Sequence, residues 1–128
     1  MGLFQKKEVA LPPSLKSIEE RPLLRIIRFK GSLDIGAVIQ IQAWIPNFRN
    51  QKSFSFKNLL MDFQDVPYAD SSAVSQLVKT MFDYKKANHR VGIINLQEGP
   101  RNIVEILKVD KLLRIYPTED EAVRDLEG

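Results

Sequence analysis

Asn58-Leu59-Leu60-Met61-Asp62-Phe63, followed by Pro67 and then Asp70-Ser71-Ser72-Ala73, decides how this 128-residue chain is built. The apolar run is short and nearly continuous, as expected of a strand buried on both faces. Pro67 ends it. From Ser71 onward, Val74, Leu77, Val78, Met81 and Phe82 recur at the i, i+3, i+4, i+7, i+8 spacing of one helix face. A two-sided strand leading into an amphipathic helix is half of an α/β unit. The junction also sets a carboxylate and two hydroxyls where the first N–H groups of a helix lack partners and the helix dipole favours negative charge. A serine there can be a helix cap, a nucleophile or a phosphate acceptor.

The flanking sequence repeats the alternation. Upstream, Leu23 to Phe29 is β-prone and runs into a turn at Gly31. Ser32 or Asp34 can cap a helix with Val38, Ile41, Trp44, Ile45 and Phe48 at helical spacing, and Pro46 predicts its early end or a kink. Residues 49–56 read as a loop or a short extra strand. Downstream, the helix from Ser71 should stop near Asn88, and Arg90 to Leu96 holds another buried strand. Pro100 suits the first turn of a third helix with Ile103, Ile106 and Leu107 inward. Leu112 to Tyr116 reads as a last short strand, and Thr118 with Glu121 forms a capping box opening a final helix. Residues 1–20 mix charges with Pro12-Pro13, which predicts a flexible or loosely docked arm before a single domain over 21–128. The expected fold is α/β, with a mixed, mostly parallel central sheet and about four helices. Right-handed crossovers then collect the strand ends, Asp70-Ser71 among them, on one rim.

Composition narrows the function. A 44% apolar, 27% charged chain is ordinary for a globular fold. No apolar run approaches the ~20 residues of a membrane-spanning helix. The basic N-terminus has no apolar block after it and does not read as a signal peptide. With no cysteine, disulfides, thiol nucleophiles and thiolate metal sites are excluded, and a cytoplasmic protein is the simplest reading. The net charge of +3 is asymmetric: residues 1–58 carry ten Lys/Arg against four Asp/Glu, a balance of +6, and residues 59–128 nine against twelve, a balance of −3. The positives (Lys16, Arg21, Arg25, Arg28, Lys30 and others) are scattered without interleaved aromatics, so they read as solvated surface and no nucleic-acid partner is expected.

Catalytic patterns fail one by one. A nucleophile elbow needs glycines around its serine, and none stands near Ser71 or Ser72. His89, the one histidine, lies in a polar loop context. Asp62 and Asp65 flank a strand end without the imidazole or thiolate set that zinc prefers, and read as solvent-facing or turn-capping carboxylates. No P-loop or G-x-G-x-x-G is present. No catalytic residue, metal or cofactor is therefore expected, and the chain is read as non-enzymatic.

Taken together, residues 23 to 126 resemble a STAS domain, the fold of anti-sigma factor antagonists and of sulfate-transporter C-terminal domains. Ile27 through Asp34, ending Gly31-Ser32-Leu33-Asp34, is similar to the family's strand and Gly-Glu-Leu-Asp; Leu59 through Phe63, then Asp70-Ser71-Ser72, is similar to its strand and Asp-Ser-Ser-Gly signature. Arg90-Val91-Gly92-Ile93-Ile94-Asn95-Leu96 and Tyr116-Pro117-Thr118-Glu119 continue the match in order. The resemblance implies a regulatory protein-binding domain whose partner is an anti-sigma factor kinase. It also implies that Ser71 is the phosphorylated residue and that Asp34, Asp70, Ser71, Ser72 and Ala73 form the partner-binding rim. Three residues depart from the pattern: Ala73 replaces the signature glycine, Lys108 stands where many members end a helix with glycine, and Ser32 replaces an acid. Transporter-linked STAS domains accept alanine after the two hydroxyls more readily. That keeps open a free-standing scaffold or accessory subunit of a transporter or signalling complex, without phosphorylation.

Overall fold

The computed structural model describes residues 10–128. In chain order its elements are β1 (Leu15–Glu20), β2 (Leu24–Lys30), α1 (Ile35–Arg49), β3 (Asn58–Asp65), α2 (Ser71–Lys86), β4 (Val91–Ile94), α3 (Glu98–Ile106) and α4 (Glu119–Glu127). The sheet order is β1-β2-β3-β4. β1 runs antiparallel to β2, whereas β2, β3 and β4 are mutually parallel. The fold is therefore α/β with a mixed, mostly parallel sheet and four helices.

The period-2 alternation of the strands sorts the core into two layers. Phe29, Leu59, Met61, Phe63, Val91 and Ile93 pack with residues of α1, α2 and α3 on one face. Leu24, Ile26, Leu60 and Ile94 pack against Ala122 and Leu126 of α4 on the other.

Several expectations need correction. The arm was expected to reach residue 20, but Leu15–Glu20 is an edge strand whose Ile18 pairs with Ile27, and Lys30 N–H donates to the Ser14 carbonyl at 2.9 Å. Its polar outward positions hide it from a hydropathy reading. Residues 1–9 of that arm lie outside the described residues. Pro46 does not end α1, which runs on to Arg49; standing exposed in the last turn, its ring costs the helix one N–H there. The expected strand at Leu112–Tyr116 is a single parallel bridge, Ile93 to Ile115, cut short by Pro117. Ile106 of α3 is exposed, and so is the following Leu107.

Two helices end in the same way. After α2, Asn88 takes a left-handed φ of 64°, and His89 N–H reaches back to the Tyr84 carbonyl at 2.8 Å. After α3, Lys108 has φ 58°, and Val109 N–H reaches the Val104 carbonyl at 3.2 Å. Both are Schellman endings, and Lys108 occupies the position that glycine usually takes.

Candidate functional site: a rim made of two helix starts

Beyond the ends of β2 and β3 the parallel pairing continues for one more step. Leu33 and Ala69, both buried, form a bridge in which Leu33 N–H donates to the Tyr68 carbonyl at 2.9 Å and Asp70 N–H to the Leu33 carbonyl at 3.1 Å. The next residues along each strand path, Asp34 and Asp70, are thereby set as N-caps of α1 and α2. Both have extended backbone, and each carboxylate closes its own helix: Asp34 Oδ1 accepts from Ala37 N–H at 2.9 Å, and Asp70 Oδ1 from Ala73 N–H at 3.0 Å.

Asp70 does more than cap. Its Oδ1 also accepts from Ser72 Oγ at 2.7 Å. That hydroxyl, with the N–H groups of Ala73, Ile35 and Ser72, outweighs desolvation and holds the Asp70 carboxyl below the usual aspartate range. Ile35 is the first residue of α1, so the charge on Asp70 is shared between the starts of both helices. Ser71, the first residue of α2, is exposed, and Ser72 is half-buried. Ala73 is not a surface residue: its side chain is 4% exposed and packs in the core beneath α2. Around the two caps stand three exposed apolar side chains, Ile35, Ile39 and Tyr68.

The carboxylates and histidine weighed for other chemistry lie elsewhere. His89 is at the opposite end of α2, stacked on Phe56, and sixteen residues of helix put it about 24 Å from Ser71. It cannot serve that serine as a base. Asp65 is paired with Lys16 at 2.7 Å. Asp62 is not a solvent-facing strand end: it is buried on the α4 face, accepts from Arg28 Nη1 at 2.7 Å and from Asn95 Nδ2 at 2.9 Å, and Arg28 also grips Glu119. Among the described residues no three His, Cys, Asp or Glu side chains gather as a metal site would require.

A family profile for the STAS domain matches residues 16–122. The chain belongs to the STAS domain family. Solved structures of similar fold include an anti-sigma factor antagonist from Mycobacterium paratuberculosis (TM-score 0.72, 20% identity, covering 94% of this chain and 100% of that one). Another is the anti-sigma factor antagonist SpoIIAA in its unphosphorylated form (TM-score 0.69, 24% identity, 88% and 96% covered). A third is the murine Slc26a9 anion transporter (TM-score 0.65, 14% identity), of which the match covers 85% of this chain and 18% of the transporter. In this STAS domain the signature residues Asp70-Ser71-Ser72 open α2, and Ala73, in place of the signature glycine, turns its methyl inward rather than onto the rim.

Sequence reasoning missed the Arg28–Asp62–Glu119 cluster and the burial of Arg25, which is 1% exposed although the scattered cations read as solvated surface. The signal was present in Leu24-Arg25-Ile26-Ile27-Arg28-Phe29: an arginine inside a two-sided apolar strand must point into a layer and needs something there to meet it.

Proposed function

We propose that this STAS domain is a regulatory protein-binding module whose contact surface is the rim of Asp34, Asp70, Ser71 and Ser72, switched by phosphorylation of Ser71 by a partner anti-sigma kinase. The observation that carries this reading is the exposed Ser71 hydroxyl at the first position of α2, beside a second helix start yoked to it through Leu33 and Ala69. A phosphate there gains the free N–H groups and positive end of α2, so the fold tolerates it. The same phosphate adds about −1.5 to −2 charges to a surface that already holds two carboxylates. A partner seated on Ile35, Ile39 and Tyr68 would have to desolvate that charge, and binding weakens. Ala73 contributes through its backbone N–H, which anchors Asp70. The switch needs no chemistry from this chain, only a hydroxyl that a kinase can reach, and it belongs to the cytoplasm, where ATP is.

The anti-sigma factor antagonists of similar fold support the reading, as does the existence of SpoIIAA of Bacillus in a phosphorylated form. To test it, the protein is incubated with ATP and each anti-sigma-type kinase of the same organism. The expected outcome is one added phosphate, mapped to Ser71, absent in Ser71→Ala, and accompanied by loss of kinase capture. No phosphate with any such kinase overturns the switch.

A second reading, an accessory subunit of a membrane transporter, is favoured by the likeness to Slc26a9. Among the described residues no helix is long and apolar enough to cross a membrane, and in this reading the domain packs against the membrane part of a transporter. Co-purification from native membranes of a transporter, with Ser71 unmodified, would select it.

A further inference from the structure

Between the sheet and helices α1 and α2 lies a cavity of about 340 Å³. Close-packed interiors leave few voids larger than a water molecule, whereas a space of this size falls in the range of small-molecule pockets. Its wall is largely apolar, including Ile27, Val38, Ile41, Met61 and Leu77. Three side chains on that wall that carry polar atoms are buried: Arg25, Trp44 and Tyr84. Arg25 enters from β2, 1% exposed, and Trp44 from α1, 8% exposed.

Neither Arg25 nor Trp44 is fully satisfied. Arg25 Nε donates to Glu20 Oε2 at 2.7 Å, and its guanidinium carbon sits 4.6 Å from the centre of the Phe54 ring and 5.1 Å from that of Phe48. Arg25 Nη1, Arg25 Nη2 and Trp44 Nε1 are buried without a hydrogen-bond partner among the described residues. Burial pushes the Tyr84 hydroxyl's pKa up, and the charges of Arg25 and Arg49 together with the Arg25 side chain beside the hydroxyl pull it back, yet no acceptor meets Arg25 Nη1 or Nη2 with hydrogen-bond geometry. Folded proteins rarely strand buried donors, least of all on a charged group. The two sites also adjoin, because the Trp44 ring stacks on Phe48, the ring that faces Arg25.

The charge balance at this end of the cavity is positive. Glu20 is shared between Arg25 and Lys57, whose Nζ lies 2.9 Å from its other oxygen, so two cations face one carboxylate. Arg49 adds a third cation to the wall. The missing partner is thus an anion, presented to a planar fork of donors that matches a carboxylate in two parallel hydrogen bonds. The remaining wall is mainly apolar; its other polar residues are Gln42, Gln76, Thr80 and the ion pair of Lys79 with Asp83.

We propose that this cavity binds a medium-chain alkyl carboxylate, with its head on the outer nitrogens of Arg25 beside Trp44 Nε1 and its tail between the sheet, α1 and α2. The site lies beneath the rim and shares Leu33 and Ala73 with its support but uses none of Asp34, Asp70, Ser71 or Ser72, and its test does not depend on any phosphorylation.

Trp44 is the only tryptophan in the chain, so its fluorescence reports directly on the cavity. The full chain is titrated with dodecanoate, dodecanol and dodecyl phosphate, each below its micelle-forming concentration, and stoichiometry is read by native mass spectrometry. Dodecanoate is expected to shift Trp44 fluorescence saturably at one molecule per chain, with dodecanol weaker by about tenfold or more. Arg25→Gln should abolish the preference for dodecanoate over dodecanol. Ile41→Phe, which narrows the part of the cavity that takes the tail and leaves Arg25 intact, should weaken dodecanoate binding; it and the wild-type comparison decide the matter if Arg25→Gln does not fold. No saturable signal with dodecanoate, equal binding of dodecanol, or tighter binding of dodecyl phosphate overturns the proposal.

Discussion

Asp70 donates its backbone N–H to the carbonyl of Leu33 at 3.1 Å, and that bond sets the start of α2 beside the start of α1. The contact joins residues far apart in sequence whose following helices carry the rim. Asp70→Ala removes the cap on α2, the acceptor for Ser72 and the charge beside Ile35. Chemical denaturation should show a loss of about 1 to 2 kcal/mol. Asp34→Ala, which loses one cap bond only, should cost less, about 0.5 to 1 kcal/mol.

The buried pair on the α4 face should matter more. Asp62→Ala leaves Arg28 with Glu119 and Glu19 but strips its buried partner, so a loss of about 3 kcal/mol in urea unfolding is expected.

The same carboxylate makes stability pH-dependent. Burial raises its pKa, but the bonds from Asn95, the Gln64 N–H and Arg28 outweigh that and hold Asp62 below the ordinary value of 3.8. Its contribution is thus fully present above the unfolded value and is lost as pH falls through the lower folded value. Wild-type melting temperature should drop across that acid window, and Asp62→Asn, already less stable at neutral pH, should drop less steeply.

Lys108 holds a left-handed backbone that costs a side-chain-bearing residue about 1 kcal/mol relative to glycine. Lys108→Gly should therefore raise stability by up to about 1 kcal/mol, less the extra freedom glycine gives the unfolded chain. Thermal unfolding measures it, and a decrease would mean that the lysine side chain makes a compensating contact.

The rim separates binding from folding. Ile35 and Tyr68 are 61% and 50% exposed, so Ile35→Ser and Tyr68→Ser should leave stability within about 0.5 kcal/mol. Each should weaken capture of the proposed kinase partner by about tenfold, as loss of a central apolar anchor does. Undiminished capture by the double variant would place the interface elsewhere.

Hydropathy alone located the parallel strands, because Leu59 to Phe63 and Val91 to Ile94 are covered on both sides and leave continuous apolar runs. Residue type narrows the caps to Ser32 or Asp34, Asp70 or Ser71, and Thr118; Asp34, Asp70 and Thr118 are the ones that accept from the N–H three residues on. β1 escaped because an edge strand needs few apolar residues: Ser17, Glu19 and Glu20 look like loop until paired. Helical spacing points Ile106 inward, but the short α3 presents that side to solvent, 71% exposed. Arg25 is hidden in the sequence because a single polar residue in an apolar strand does not show its burial, and Arg28 and Asp62 because their partners are distant. Single-residue polarity says nothing about a partner ninety residues away, and Glu119 is that far from Arg28.

α4 is held to the sheet by polar bonds along its whole length. Arg28 meets Glu119 at one end, Arg21 grips both oxygens of Glu127 at the other, and Asn58 Nδ2 donates to the Leu126 carbonyl at 2.8 Å. Ala122 and Leu126 seal Leu24, Ile26, Leu60 and Ile94 beneath it. On a translating ribosome that second face stays bare until residues 119–127 have cleared the exit tunnel. Until then the nascent chain can close its α1–α2 layer while the α4 side of the sheet stays sticky and half finished, and that is the surface a chaperone would meet.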